Sequence, residues 1–290
     1  TVCESLRKGS WVSPREHREL MLEKIHRRPT PEGMDRLQKM SREDAEVLLA
    51  DSGGLLKNLQ SGLDQVVQQL ESVGWAACNL GLHPKLLLRA LSEAKQLKEK
   101  MSPGSTVVQN QVIDQSLPNA QRGDTHLFLQ EHGISGPGSV KGPAPTVALL
   151  ESALVDLGMQ LDLRLQRSKL RIRITERCDG MLACYDGGGS AYAAHIDNAD
   201  GDGRVDGRVL TAVLYLNSDW DRTQGGELAI FQPEHGDIGD PDVSGRWQTV
   251  YPEANTLVFF RADRVLHEVQ PSLAQRFALS VWFCGQSVHY

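Results

Sequence analysis

The stretch Arg276-Phe-Ala-Leu-Ser-Val-Trp-Phe283 indicates most clearly how this chain folds. Its alternating pattern predicts a strand whose phenylalanine-rich face packs in a core. Arg276 and Trp282 fall on the opposite face, together with small residues. Because an arginine is rarely buried without a partner, we expect this face to line a pocket for an anion, and a planar guanidinium suits a carboxylate. A position at a surface strand end is the alternative for Arg276.

Short strands separated by turns extend from this stretch back to residue 170. The predicted strands are 170–175, 181–185, 210–217, 227–231, 247–251, 256–260, 266–269 and 276–283. Many short strands at this spacing are typical of a sandwich, a jelly roll or a barrel. The preceding part of the chain is helical, with helices predicted over 61–73, 83–101 and 145–166 and a further strand over 75–80.

Helices followed by strands predict an α+β fold in which a β core is backed by helices. Capping signals at Ser13 and Ser41 predict further helices before residue 65. We therefore divide the chain into an N-terminal helical extension, residues 1–65, and one domain, residues 66–290.

Composition excludes several classes of protein. The chain has 290 residues and a net charge of −6, which argues against a dominant role in nucleic-acid binding. No apolar run approaches the ~18 residues that a membrane span needs. Five cysteines without Cys-X-X-Cys spacing favour a reducing compartment. The first residues lack the apolar segment of a signal peptide, so we expect a cytoplasmic protein, with a nuclear location left open.

The candidate metal ligands are His195, Asp197 and His267. On an extended strand, residues i and i+2 point to the same side, so His195 and Asp197 are expected to bind one ion together. Four predicted strands separate Asp197 from His267, enough to wind once around a jelly roll and return a third ligand. Two histidines and one carboxylate leave about three metal positions open, as in non-haem Fe(II) oxygenases.

A second His-X-Asp motif, His235-Gly-Asp237, competes with the first, because this motif alone is weak evidence. Only two predicted strands separate it from His267. It also lies in a segment rich in proline and glycine, without the rigid support that metal ligands need. We therefore expect His235 to be an ordinary loop residue.

Together with the metal-binding motif, several stretches closely resemble the hypoxia-inducible-factor type prolyl 4-hydroxylases. The matching stretches are Arg122-Gly-Asp124, Met181-Leu-Ala-Cys-Tyr185, His195-Ile-Asp-Asn198, Gly201-Asp-Gly203, Leu216-Asn-Ser-Asp-Trp-Asp221, Gly225-Gly226, His267-Glu-Val-Gln-Pro271 and Arg276-Phe-Ala-Leu-Ser-Val-Trp282. The resemblance covers about residues 70–285. It implies a double-stranded β-helix, or jelly roll, and an oxygenase that uses Fe(II), 2-oxoglutarate and O₂, with ascorbate supporting activity.

The resemblance also implies roles for individual residues. His195, Asp197 and His267 would be the iron ligands. Arg276 would bind the distal carboxylate of 2-oxoglutarate with help from the hydroxyl of Tyr215. The remaining roles fall to Tyr185, which would line the cosubstrate site, and to Arg122, Asp124, Arg204 and Trp282, which would contact the target. Core rings are the alternative for the two tyrosines, and solvated surface charges are the alternative for the charged residues.

The protein substrate is less well defined than the chemistry. The chain departs from the resemblance at an apparent insertion, 205–208, in the loop 133–145 and in the first 65 residues. These differences favour the Skp adaptor of SCF ubiquitin ligases as the substrate, with a hypoxia-factor-like target next. Two other functions stay open: a dioxygenase acting on a small molecule, and a catalytically silent binding module of the same fold.

Overall fold

The computed structural model describes residues 62–104, 106–108, 111–113, 122–135, 143–198, 207–234 and 244–287. The predicted helical extension over 1–65 lies outside them except for its last four residues, and it stays a prediction together with its boundary to the domain over 66–290. Each helix in the described part of the chain is too short or too polar to span a lipid bilayer.

The helices occupy the first half of the described chain, as the sequence predicts. Helix α1 covers 62–73, α2 covers Pro84–Leu97 and α3 covers Pro145–Arg167. His83 caps α2, because its ring accepts a hydrogen bond from the backbone N–H of Lys85 at 3.2 Å. One side of α3 buries four leucines at helical spacing, Leu150, Leu154, Leu157 and Leu161.

Fourteen strands are described, and the eight predicted after residue 170 are all present, β7 with the predicted ends and the other seven with shifted ends. The strands are β1 Trp75–Asn79, β2 Ser102–Pro103, β3 Thr106–Val108, β4 Gln111–Ile113, β5 Thr125–Phe128, β6 Ile172–Arg177, β7 Met181–Tyr185, β8 Ser190–His195, β9 Arg208–Tyr215, β10 Leu228–Pro233, β11 Gly245–Val250, β12 Thr256–Arg261, β13 His267–Ser272 and β14 Arg276–Ser287. Strands β2 to β5 and β8 were not predicted as separate elements.

Two antiparallel sheets face each other across one core. The major sheet has the order β1-β12-β9-β14-β7-β5-β2, with β6 also pairing with β14, and the minor sheet has the order β11-β10-β13-β8. A buried apolar cluster takes Tyr215, Phe260 and Ala278 from the major sheet and Leu228 and Ile230 from the minor sheet. This arrangement confirms the predicted jelly roll.

The outer face of the major sheet packs against α3. Phe277 and Phe283 point to this side and are fully buried, which confirms the predicted packing face of β14. The fit leaves no spare room, since a Cβ added at Gly158 of α3 would lie 2.0 Å from Cζ of the Phe283 ring.

Gly158→Ala is expected to destabilise the fold by about 1–3 kcal/mol, because the buried Phe283 ring would have to move. The measurement is the free energy of urea unfolding. Gly62→Ala is the matched control, since a Cβ at this other helical glycine meets nothing within 4 Å. Equal stabilities of the two variants would contradict this account of the helix–sheet contact.

Candidate active site

Three potential metal ligands converge at the junction of β8 and β13. His195 is the last residue of β8, His267 is the first residue of β13, and the two residues are paired across the minor sheet. Their ligand atoms and those of Asp197 all lie within 4.8 Å of one another. The distance from Nε2 to Oδ1 of Asp197 is 3.5 Å for His195 and 3.8 Å for His267.

The imidazoles are oriented by backbone carbonyls. Nδ1 of His195 lies 2.8 Å from the carbonyl of Ala193, and Nδ1 of His267 lies 3.0 Å from that of Val265. Each Nδ1 is therefore the protonated nitrogen, which leaves Nε2 of both rings as the ligand atom facing Asp197.

The position of Asp197 corrects one step of the sequence-based argument. Strand β8 ends at His195, and Asp197 lies in the turn that follows, so the prediction that both share one strand is wrong. Its Oδ2 accepts hydrogen bonds from the hydroxyl of Thr211 at 2.6 Å and from the indole N–H of Trp282 at 3.0 Å. These two donors from β9 and β14 fix the carboxylate, and Oδ1 stays directed at the histidines.

The electrostatics of the cluster favour metal binding. Burial lowers the pKa of His267 to about 4 with help from the neighbouring His195, so its ring is neutral near pH 7. Burial raises the pKa of Asp197, but the two imidazoles and the Thr211 hydroxyl lower it by a larger amount. The pKa of this carboxyl therefore lies well below its usual range. A neutral imidazole beside a carboxylate is the form that binds a divalent cation.

Arg276 occupies a second, adjacent part of the site. It is 2% exposed, and its guanidinium carbon lies 4.8 Å from the ring centroid of Tyr185 and 4.9 Å from that of Tyr215. Nη2 donates to the Tyr215 hydroxyl at 3.3 Å, whereas Nε is buried without a hydrogen-bond partner. Arg276 has no acidic partner among the described residues. A buried guanidinium in this state needs an anion.

The strand register explains this grouping. Arg276 is paired with Tyr185 of β7, and Ala278 is paired with Tyr215 of β9, so the three side chains meet on the inner face of the major sheet. Burial raises the pKa of both tyrosines, which keeps their hydroxyls protonated at neutral pH. The predicted grouping of the two tyrosines with Arg276 is therefore present.

A glycine turn leaves room for the arginine stem. Gly225 and Gly226 have φ values of +69° and +68°, which favour glycine. A Cβ at Gly226 would lie 2.8 Å from Oγ of Ser272 and 3.2 Å from Cδ of Arg276. This turn thus helps to shape the pocket.

Arg122 and Asp124 form an inward-facing ion pair. Nε of Arg122 lies 2.5 Å from Oδ1 of Asp124 and Nη2 lies 2.9 Å from Oδ2, and Asp124 is 3% exposed. The guanidinium lies over the Tyr192 ring at 5.1 Å, and that ring stacks on His195 with a centroid distance of 3.9 Å. The pair is therefore not solvated surface charge, and it supports the strand that carries His195, a candidate metal ligand. Its predicted contact with a target stays a prediction.

Of the two other predicted target contacts, Arg204 and Trp282, the structure describes only Trp282. Arg204 lies outside the described residues, as does His235-Gly-Asp237. Trp282 is buried and donates to Asp197, so it supports a metal ligand.

Sequence reasoning missed Arg208, whose guanidinium carbon lies 4.6 Å from the Trp282 ring centroid. It also missed the Thr211 hydrogen bond to Asp197, although the alternation of β9 back from Tyr215 could have indicated it.

The residues fit a metal ion and a dicarboxylic cosubstrate. Two Nε2 atoms and one carboxylate oxygen on one side of the pocket match the donor set of a mononuclear Fe(II) site with open positions. The buried Nε of Arg276, which lacks a partner, matches the terminal carboxylate of 2-oxoglutarate.

Residues 180–284 match the 2OG-Fe(II) oxygenase superfamily. The chain is 38% identical over 150 residues to Egl nine homolog 1 of Rattus norvegicus, which is 50% of this chain and 39% of the relative. It is 31% identical over 230 residues to the hypoxia-inducible factor prolyl hydroxylase of Caenorhabditis elegans, which is 77% of this chain and 28% of the relative. The chain thus spans less than half the length of these curated relatives.

Two solved structures superimpose on this chain and support its jelly-roll fold. The prolyl hydroxylase of Trichoplax adhaerens, in complex with a peptide fragment of the hypoxia-inducible factor oxygen degradation domain, superimposes with a TM-score of 0.62 at 26% identity, covering 79% of this chain and 91% of that one. A prolyl-4-hydroxylase of Pseudomonas putida gives a TM-score of 0.57 at 24% identity, covering 77% and 98%, and supports the fold alone.

Thr211→Val is expected to weaken Mn(II) binding at the candidate iron site by about 10- to 100-fold, because Asp197 loses a hydrogen bond that orients it. Anaerobic calorimetric titration of the apoprotein measures this affinity, with Mn(II) replacing the oxidisable Fe(II). Thr175→Val is the matched control, since the Thr175 hydroxyl bonds to the carbonyl of Cys284 instead. Unchanged affinity in Thr211→Val would mean that this hydroxyl does not position Asp197.

Proposed function

We propose that this chain, which carries a 2OG-Fe(II) oxygenase domain in residues 180–284, hydroxylates a prolyl residue of a protein substrate at C4, with 2-oxoglutarate and O₂ as cosubstrates. The observation that carries the proposal is the buried Arg276, with its orphan Nε, beside the His195–Asp197–His267 cluster. A silent module of this fold would need neither group. We also propose ascorbate as a supporting reductant.

The metal cluster has a defined part in this activity. His195, Asp197 and His267 would hold Fe(II) through one side, and the open positions would accept the cosubstrate and O₂. Fe(II) supplies the activation of O₂ when bound. Thr211 and Trp282 hold the Asp197 carboxylate in place, so the ligand set is pre-organised before the metal arrives.

The arginine pocket orients the cosubstrate. Arg276 would bind the distal carboxylate of 2-oxoglutarate, and the protonated Tyr215 hydroxyl beside it can donate a further hydrogen bond. The rings of Tyr185 and Tyr215 flank the guanidinium and exclude water from it. A cosubstrate fixed at this end would present its keto acid end toward the metal cluster.

Two protein substrates are proposed. The names of the curated relatives, and the factor peptide in the Trichoplax adhaerens structure, support a hypoxia-factor-like peptide. The Skp adaptor is favoured by the sequence differences at 1–65, 133–145 and 205–208, which lie largely outside the described residues. Either substrate would make the reaction an oxygen-dependent signal, since O₂ is consumed with each hydroxylation.

The protein loaded with Fe(II) and 2-oxoglutarate is expected to release more succinate when a prolyl peptide substrate is present. Mass spectrometry should locate one added oxygen on one proline. The peptides are a hypoxia-factor segment, a Skp adaptor segment and their Pro→Ala versions. Stimulation by only the hypoxia-factor segment would exclude the Skp adaptor as the substrate. Stimulation by only the Skp adaptor segment would exclude the hypoxia-factor-like target. Turnover with a small molecule but with neither peptide would contradict the proposal.

Arg276→Ala is expected to weaken 2-oxoglutarate binding by about 30-fold or more, because a buried carboxylate loses its cationic partner. Anaerobic titration of the metal-loaded protein gives the dissociation constant, and Mn(II) affinity should stay unchanged. Arg222→Ala is the matched control, since this arginine is 66% exposed and pairs with Glu253. Equal affinities for 2-oxoglutarate in the two variants would overturn the assignment of Arg276.

A further inference from the structure

Two cysteines that are distant in sequence meet at the end of β6. Sγ of Cys178 and Sγ of Cys284 lie 3.0 Å apart, close enough for one thiol to donate a hydrogen bond to the other, although the residues are 106 positions apart. Cys178 directly follows β6, and Cys284 lies in β14. This contact could not be predicted from the residue pattern, because neither Cys-X-X-Cys spacing nor an even number of cysteines is present.

Local backbone geometry holds the two thiols together. The N–H of Cys178 donates to the carbonyl of Trp282 at 2.8 Å, which continues the β6–β14 pairing beyond the end of β6. Cys284 lies at a register shift in both pairings of β14, with β6 and with β9. A bulge of this kind redirects side chains. The following Gly285 permits the close backbone approach, since a Cβ there would lie 2.0 Å from the carbonyl oxygen of Arg173.

We propose that Cys178 and Cys284 are a redox modification site that forms an intramolecular disulfide with hydrogen peroxide or an organic hydroperoxide. A disulfide needs sulfur atoms about 2.0 Å apart, so each sulfur has to move by only a fraction of an ångström. Cys178 is partly exposed and Cys284 is 3% exposed. The peroxide therefore reaches Cys178 first, and Cys284 is the resolving thiol.

The reaction balances without any further reactant. The Cys178 thiolate attacks a peroxide oxygen, so that an S–O bond forms and the O–O bond breaks, which gives a sulfenic acid. Hydroxide leaves from hydrogen peroxide, or an alkoxide from an organic hydroperoxide, and takes up the proton that the thiol lost, to give water or an alcohol. Cys284 then attacks this sulfur, so that the S–S bond forms, the S–O bond breaks and a second water leaves. The two thiols lose two electrons and two protons, and one hydrogen peroxide becomes two water molecules. A small dithiol reverses the reaction.

The other described cysteines lack this arrangement. Burial raises the pKa of Cys78 to about 11, and burial followed by the charge of Asp186 raises that of Cys184 to about 12, so both are poor thiolates. The sulfur of Cys184 faces the Asp186 carboxylate at 3.6 Å. The Cys178–Cys284 pair also borders the iron site, since Cys178 packs against the cluster containing Trp282, whose indole donates to Asp197.

The test uses the full chain, reduced, metal-free and in the presence of a chelator, treated anaerobically with stoichiometric hydrogen peroxide. We expect the loss of two of the five thiols and a mass lower by two hydrogen atoms. A non-reducing peptide map should join Cys178 to Cys284, and dithiothreitol should restore all thiols. These measurements need neither iron nor a substrate, so their result does not depend on whether the protein has the proposed hydroxylase activity.

Cysteine variants test which two residues form the disulfide. Cys178→Ser and Cys284→Ser are each expected to abolish the cross-link, whereas Cys78→Ser, a substitution at a partly exposed cysteine elsewhere, should keep it. The wild-type peptide map needs no variant and therefore decides the question even if Cys284→Ser folds poorly. An unchanged thiol count, a cross-link between other cysteines, or oxygen addition at Cys178 without a cross-link would each overturn the proposal.

Discussion

A buried positive charge, the guanidinium of Arg276, imposes the strongest constraint on this fold. Leaving such a group without an anion costs several kcal/mol, so the pocket is built for a ligand that brings a carboxylate. The neighbouring strands β7 and β9 supply two tyrosine rings beside the guanidinium and one hydroxyl that accepts from it. This polar part of the inner face of the major sheet is thus a binding feature, whereas Phe277 and Phe283 of β14 pack on the opposite face.

The major sheet also helps to position the metal cluster, together with the minor sheet. The minor sheet brings His195 and His267 together by direct pairing, whereas Asp197 is held from the other side by donors on β9 and β14. The metal cluster and the arginine pocket therefore share β14, which carries Arg276 at one end and Trp282 six residues later. One strand fixes the distance between the site for the metal and the site for the cosubstrate carboxylate.

Sequence patterns were sufficient where the signal is local. Alternation in 276–283 indicated both faces of β14, and strand counting placed His267 near His195. The Thr211 hydrogen bond and the Cys178–Cys284 contact escaped prediction, because each depends on register or on a bulge between distant segments. The ion pair of Arg122 and Asp124 is local in sequence, but its burial depends on the contact with Tyr192, which the residue pattern does not show. Asp197 was assigned to the right cluster for a wrong reason, since a turn rather than a strand presents it.

The proposed activity requires one pocket to hold both Fe(II) and 2-oxoglutarate. Visible absorption of the anaerobic protein during addition of Fe(II) and then 2-oxoglutarate tests it most directly. The account predicts a weak charge-transfer band that needs both additions and disappears when O₂ is admitted and the cosubstrate is consumed. A folded protein that binds Fe(II) and 2-oxoglutarate but never develops the band would contradict it, because the two sites would then be separate.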